Sequence, residues 1–454
     1  MLVTEPGRNT GDKTIPIQPR PTKVRYGVLA FLFALSVITY FDRVCISVAA
    51  PYIMDQLSLS PVAMSFVFSA FTLAYSIFEV PSGWLGDRFG ARKALTRIVL
   101  WWSALTMLTA VAWSFASLLV LRFLFGAGEA GAFPNISRSL SNWFPASERG
   151  RAYGLVFMGT RIGGALAPPI VAGLIIVAGW RWAFVTFGVV GPIWAVLWYR
   201  WYRDHPASHN AVSGSEMGII RDGGGAAERN DHAEGRQSVP WRLVASNPNL
   251  ILLCAIYFCV GYGLYFYLTW LPSYLEQVRG FSILSSGFLA SLPLLFGAAT
   301  NVAGGWIMDN LSNRYSLRAS RCAIGAIGLF GSAVAITCVA LTDRPVAAAL
   351  MVAVAAGSAD LALPASWAVC SDLSLEHAGV VTGFMNTLGN IGGTIGPLAT
   401  GFMVGRLGSW RLPFFVTGLM YLTGAVLWLK VHPGRPLLTS FTQELTNGQP
   451  KARS

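Results

Sequence analysis

Four ionisable side chains lie inside long apolar stretches of this chain: Asp42 beside Arg43, and Arg122 seven positions before Glu129. A charge placed at the centre of a bilayer costs at least about 2.5–3.5 kcal/mol, so such residues face a cavity or one another and usually carry function. Guanidinium stays charged and offers a planar fork of donors that fits a carboxylate. A carboxyl group is different: burial favours its protonated form and a neighbouring guanidinium its ionised form, so its proton can come and go as surroundings change. The four residues outline an anion site next to two proton-titratable groups.

Helix geometry sharpens the outline. Adjacent residues point about 100° apart, so Arg43 can face a cavity while Asp42 meets a neighbouring helix. Arg122 and Glu129 share one helix face, about 10 Å apart along the axis. Arg43 falls near the outer end of a span running outward, and Arg122 near the outer start of one running inward. At matched depth, the two guanidiniums can converge on one anion. The competing reading is two ion pairs, Asp42–Arg43 and Arg122–Glu129, that only fix helix packing, although buried pairs are weak stabilisers on their own.

The elements that position these groups must be membrane helices. The chain has 454 residues, 54% hydrophobic and 12% charged, with a mean hydropathy of +0.53. Soluble domains carry about 25% charged residues. The apolar character comes in segments of about 20 residues, the length that crosses a bilayer as helix. Twelve spans are expected, near 26–50, 61–82, 94–113, 116–140, 152–176, 181–202, 249–272, 284–308, 320–341, 345–370, 379–404 and 411–431. The first apolar run reads as a retained span rather than a signal peptide. The expected organisation is an N-terminal tail (1–25), a six-helix bundle (26–202), a cytoplasmic linker (203–248), a second six-helix bundle (249–431) and a C-terminal tail (432–454).

The net charge of +12 does not point to nucleic acid, because the basic residues sit in short loops between spans. One set of loops holds Arg88, Arg92, Lys93, Arg97, Arg149, Arg151, Arg203, Arg314, Arg318 and Arg321, and the alternate loops hold few. The positive-inside rule then places both termini and the linker in the cytoplasm, as expected for a multi-pass cell (inner) membrane protein. The six cysteines lack zinc-like spacing and read as small buried hydrophobes, so no metal is expected. Gly223-Gly224-Gly225 lacks the Lys-Ser/Thr of a phosphate loop and reads as flexible linker, and His205, His209 and His232 read as solvated. No nucleophile-base pair is apparent, which argues against an enzyme.

The halves repeat each other. Gly83-Trp84-Leu85-Gly86-Asp87-Arg88 closes the second span, and Gly305-Trp306-Ile307-Met308-Asp309-Asn310 closes the eighth, 222 residues later. Gly163-Gly164-Ala165-Leu166-Ala167-Pro168 in the fifth span matches Gly392-Gly393-Thr394-Ile395-Gly396-Pro397 in the eleventh, 229 later. Trp180-Arg181 and Trp410-Arg411 open the sixth and twelfth, 230 apart. A duplicated six-span unit is an architecture of secondary carriers, whose site lies near the midplane between repeats.

The run from Gly83 to Lys93, with its degenerate second copy, closely resembles the signature loop of the major facilitator superfamily. Tyr40-Phe41-Asp42-Arg43, Arg122 with Glu129, and Gly389-Asn390-Ile391-Gly392-Gly393 resemble its anion:cation symporter branch, which includes carriers of hexuronates, galactonate and tartrate. The resemblance covers nearly the whole chain. It implies an all-α integral membrane fold of twelve helices in two bundles. It also implies proton-coupled uptake of a small organic anion, such as a hexuronate, aldonate or aldarate, by alternating access, with the proton as coupling ion and no other cofactor. Asp42 and Glu129 would be the proton-coupling groups and Arg43 and Arg122 the anion contacts. Tyr40, Tyr75, Ser366, Trp367 and Asn386 match positions that line the sugar-acid pocket, and Asp87, Arg88 and Asp309 would belong to the gate. A monomer is expected. The alternative within the superfamily is a proton-antiport exporter of a drug or metabolite, since Gly163–Pro169 partly resembles an exporter packing motif; a membrane enzyme and a nutrient sensor are remoter readings.

Further residues complete the list of candidates. Tyr262, Tyr265 and Tyr267 precede Thr269-Trp270, with Tyr265 read as a pocket residue and Trp270 as an interface anchor. Pro364 to Trp367 are expected to interrupt the tenth span. Arg161 is either a second anion contact, favouring a substrate with two acid groups, or a snorkelling residue at the cytoplasmic face. Asp360 aligns within one residue of Glu129 and would titrate, bind a hydroxyl or pair with a cation not located in the sequence. Glu79 is assigned to the gate network.

Overall fold

The computed structural model describes residues 21–222, 247–312, 314–373 and 378–433. Among them every regular element is helical. The long helices are α1 (Val24–Gln56), α2 (Pro61–Phe89), α3 (Ala91–Thr109), α4 (Phe115–Glu129), α5 (Ala132–Trp143), α6 (Ala146–Ala178) and α7 (Trp180–Trp201). A short α8 (Gly214–Asp222) is followed by α9 (Pro248–Gln277), α10 (Ile283–Ser312), α11 (Leu317–Leu341), α12 (Pro345–Asp360), α13 (Ala362–Leu373), α14 (Ala378–Leu407) and α15 (Arg411–Trp428). Because α4–α5 and α12–α13 each form one broken rod, the described residues make twelve rods.

Ten of these rods are long and apolar enough to cross a membrane. The other two are α3, whose first turns carry Arg92, Lys93 and Arg97, and α14, which carries Asn386, Thr387, Asn390 and Thr394. Helix starts follow ordinary capping chemistry. Ser60 caps α2 ahead of Pro61, Asn247 caps α9 ahead of Pro248, and Ser114 and Ser117 form a reciprocal box on α4. Gly90 and Gly179 stand at φ 82° and 84°, where a side chain is strained, and let one rod follow another almost without a loop.

The repeat read in the sequence reappears as packing. α1 lies along α6 as α9 lies along α14, and α3 along α7 as α11 along α15. A Cβ on Gly163 would strike the backbone at Val37, and one on Gly392 the backbone at Phe258. Small residues here let whole helices touch. The first six rods meet the last six along two seams, α2–α14 and α6–α10, and these are reciprocal. Ser69 donates to the Thr394 carbonyl at 2.7 Å, and Ser291 donates to the Ala165 carbonyl. Proline explains part of the pattern. Pro169 has no N–H for Ala165, and Pro397 none for Gly393, so hydroxyls from across the seam, Ser291 and Thr72, turn to those carbonyls.

The structure corrects several expectations. The breaks in the fourth and tenth rods come at residues 130–131 and at Leu361, immediately after Glu129 and Asp360. Pro134 and Pro364 are each third in the helix that follows, where a missing N–H costs little, and their rings exclude the carbonyl four residues back. The break in the tenth rod therefore precedes the proline instead of spanning 364–367, and the matching break in the fourth is equally abrupt. Trp270 is no interface anchor: it is fully buried, donates to the Pro397 carbonyl at 3.1 Å and meets Phe68 edge to face.

The expected linker begins as folded chain. Asp204 accepts the Arg92 amide at 2.9 Å at the start of α3, and Glu216, wholly buried, accepts the Val24 and Arg25 amides at 3.1 Å at the start of α1. Carboxylates at helix N-termini satisfy otherwise orphaned amides. His209 is half-buried against Trp143 and Trp201, and burial, then Arg203, lowers its pKa below the ordinary imidazole value. Gly223–Gly225 and His232 lie outside the described residues. All six cysteines are free and all but Cys338 are buried.

Two stability predictions follow from these contacts. Replacing Gly163 with Ala should destabilise the fold by about 1–3 kcal/mol, the usual range for overpacking, read as a lower unfolding temperature in detergent. Replacing Glu216 with Ala should lower it too, by about 1–2 kcal/mol for the lost helix cap; an unchanged midpoint would mean that residues 21–25 and α8 are not coupled.

Candidate functional site

The site forms where α1, α2 and α4 of the first half face α9 and α14 of the second. Arg43 on α1 donates through Nε to Oε1 of Glu129, the last residue of α4. Glu129 is completely buried. The Arg43 guanidinium is caged by aromatic faces, 4.7 Å from the Tyr75 ring centroid, 5.2 Å from Phe71 and 5.3 Å from Tyr40. Such faces favour a cation. Arg122 is buried and lies 4.5 Å from the Phe125 centroid and 5.1 Å from Phe71, so both guanidiniums border the Phe71 ring. Its Nε has no hydrogen-bond partner among the described residues.

Asp42 points away from Arg43, into α3. It is 1% exposed, beside Thr106 and Trp102 and within electrostatic reach of Arg122 and Glu129, and neither carboxyl oxygen is hydrogen-bonded among the described residues. The sequence pairings are therefore exchanged. Arg43 binds Glu129 instead of its neighbour Asp42, which the 100° step between adjacent residues already disfavours. Arg122 does not bind Glu129, because two helical turns, about 10 Å, separate them on one rod.

Tyr265 on α9 reaches the same cluster, within electrostatic range of Arg43, Tyr40 and Glu129. Glu79, assigned from sequence to the gate, belongs here as well: it is within electrostatic range of Arg43 and accepts from Asn386 Nδ2 at 3.3 Å across the α2–α14 seam. The pocket candidates on α13 have other partners, Trp367 among them bonding Tyr257, which is within electrostatic range of Arg161. The Ser366 hydroxyl is buried and donates to its own helix at Ala362, 2.9 Å away. The Trp367 indole donates to the Tyr257 hydroxyl at 3.2 Å and its ring meets Phe157 of the first half. Arg161 does not snorkel: it forms an ion pair with Asp360 at 2.9 Å, which supplies the cation that the sequence left unlocated. Of the gate candidates, Arg88 is exposed beside Trp84 and Phe89, while the side chains of Asp87 and Asp309 lie outside the described residues.

Twelve rods in two repeated halves, with buried charges gathered between them, invite comparison with known carriers. The family model described as Major Facilitator Superfamily matches residues 32–397 and 313–452. The chain belongs to the major facilitator superfamily. Among curated relatives, the "Probable sulfoacetate transporter SauU" of Cupriavidus necator is 35% identical over 412 residues, 90% of this chain and 94% of that protein. The "Hexuronate transporter" of Bacillus subtilis is 33% identical over 401 residues, 87% of this chain and 92% of that protein. The "Probable galactarate/D-glucarate transporter GarP" of Escherichia coli is 32% identical over 438 residues, 92% and 97% of the respective chains. A bacterial homologue of the human lysosomal transporter Spinster, solved inward-facing and unoccupied, superposes with a TM-score of 0.74 at 19% identity, covering 94% of this chain and 99% of that one. The superfamily fold and its transporter character, rather than an enzyme's, are thereby established, and the protein is a multi-pass membrane protein.

The ion-pair geometry generates a test. Arg43→Ala strands the buried Glu129 carboxyl and should destabilise the protein by about 3–5 kcal/mol, the usual cost of breaking a buried pair. Adding Glu129→Gln to that variant should recover a large part of the loss in thermal unfolding. No recovery would show that the two side chains do not act as a pair.

Proposed function

We propose that this superfamily member carries a small organic anion, a sugar acid or related carboxylate, into the cell together with protons. The observation that carries the reading is the buried cluster of Arg43, Arg122, Asp42 and Glu129, which Tyr265 of the second half reaches. The two guanidiniums are faced by Asp42, Glu129 and, within electrostatic range of Arg43, Glu79. Each proton taken up by these carboxyls removes negative charge from a site where uncompensated charge is costly. An organic anion restores that charge. Protonation of Glu129 would release the Arg43 fork from its partner, and the fork fits a carboxylate. Tyr40, Tyr75 and Tyr265 surround that fork with hydroxyls suited to a polyhydroxy chain. Relatives named for sulfoacetate, hexuronate and galactarate/D-glucarate support an acid of this size.

Alternating access would be rocking of the two six-helix units, 26–202 against 249–431, about the seams described above. Tyr52 donates to Glu276 at 3.0 Å between α1 and α9, at the face opposite the chain ends, and is a candidate closure of that side. The distribution of Lys and Arg supports placing the chain ends in the cytoplasm of a cell-membrane protein. The protein would work as a monomer, with the proton as coupling ion and no other cofactor. The Gly163–Pro169 motif that suggests an exporter is fully used in helix packing and the α6–α10 seam.

In proteoliposomes, an inward proton gradient should drive uphill uptake of a sugar acid. Glu129→Gln should retain substrate exchange and lose accumulation by about tenfold or more, the scale expected when a proton-transferring group is removed. Accumulation equal to that of the unmodified protein would remove Glu129 from coupling, and gradient-driven efflux would establish the exporter instead.

A further inference from the structure

We infer that Arg161, Asp360, Tyr267 and Tyr421 form a second subsite, which takes the distal acid group of a substrate carrying two acid groups. The inference rests on the anion-carrier reading and adds the substrate class.

Arg161 is on α6 of the first half and Asp360 ends α12 of the second, so the pair spans the two halves. Their nearest approach is Nη2–Oδ2 at 2.9 Å. A guanidinium has five donors in a fixed fork, more than one carboxylate takes up, which leaves capacity for a further anion. The pair borders a narrow cleft, with room for about one water molecule, lined also by Val260, Leu294, Tyr267 and Tyr421. The hydroxyls of Tyr267 and Tyr421 are buried, lie close to each other and to Ser332, and make no hydrogen bond of good geometry among the described residues. Buried hydroxyls that are poorly paired cost free energy and mark a place where a polar group belongs. A cationic fork and two hydroxyls bordering one cleft suit an acid group.

Tyr40 lies near both arginines, Arg43 and Arg161. Its ring faces the Arg43 guanidinium at 5.3 Å, and it is within electrostatic range of Arg161. Without an anion, Asp360 balances Arg161, which keeps the cleft neutral. A substrate with one acid group leaves that balance intact. A second acid group competes with Asp360 for the fork and can draw on the two tyrosine hydroxyls. Because Arg161 and Asp360 belong to different halves, occupation of the subsite would also loosen a tie between them.

The test uses the purified full chain in detergent and two probes that share a six-carbon chain but differ by one acid group, D-glucuronate and D-glucarate. Calorimetric titration should give tighter binding of glucarate. Asp360→Asn, which removes the competing charge, should tighten glucarate further. In Arg161→Gln/Asp360→Asn, which leaves no buried charge unpaired, glucarate affinity should fall about tenfold or more beyond any change for glucuronate, the scale of one lost charge-assisted contact. Binding of both acids with an unaltered ratio in the double variant overturns the subsite and leaves the carrier reading standing. A proportional loss for both acids makes the pair a tie between halves only and likewise overturns it. If neither acid nor sulfoacetate binds the unmodified protein, the carrier reading falls and this inference with it.

Discussion

Charge neutrality out of reach of bulk water governs this molecule. Glu129 is completely buried and Arg122 nearly so, and neither could be held there alone. The Arg43–Glu129 bond, the aromatic cage around Arg43 and the shared Phe71 face are ways of holding charge without solvent. They also set the tolerances of the surrounding rods. α1, α2 and α4 must approach closely enough for short-range contacts among their side chains, which is why Gly126 packs on the Phe71 backbone. The aromatic platform is thus fixed by the same helix contact that brings the charges together.

The internal repeat shows how one device serves two ends. Each half contains a rod broken just after a carboxylate, Glu129 in one and Asp360 in the other, with a proline entering the next helix. Each carboxylate is met by an arginine, yet both arginines come from the first half. Arg43 reaches Glu129 within its own half, while Arg161 crosses to Asp360. The first pair can open without separating the halves. The second pair must break or stretch whenever α6 and α12 move apart. Duplication gave matching scaffolds, and the placement of arginines made them unequal.

Much of this was legible in the chain. Twelve spans, the repeat offsets and the four central charges are composition and spacing, and helix physics acts on both directly. The partners were not legible, because ion pairing depends on the rotation of one rod against another, which no single-helix pattern encodes. Hence Asp42 turned to Thr106 and Trp102, and Glu129 to Arg43. The breaks had a readable signal that was underused: Pro134 excludes the carbonyl of residue 130, as Pro364 excludes that of Asp360. No spacing joins Arg161 to Asp360, since they lie in opposite halves. Trp270 misled because tryptophan near a rod's end is usually an interface anchor; here the Pro397 carbonyl across the α9–α14 contact satisfies its N–H. The folded start of the linker was hidden because Glu216 caps a helix 191 residues away in sequence.

The seams carry the last step of the argument. Ser69, Thr72 and Ser291 reach backbone carbonyls of the opposite half, and two of these carbonyls lack their usual amide because a proline follows four residues later. A side-chain hydroxyl bound to a carbonyl is a modest contact, about 1 kcal/mol net in most settings. Such a bond can be exchanged for water when a cavity opens, at little net cost. A buried ion pair cannot be opened so cheaply unless something neutralises the parted charges. The seam hydroxyls are therefore contacts that water can replace, whereas the ion pair Arg161–Asp360 is placed beside a cleft. Under the proposed anion-carrier reading, such a pair would resist rocking until a charged ligand neutralised it, so that anion occupancy would bear on which face is open.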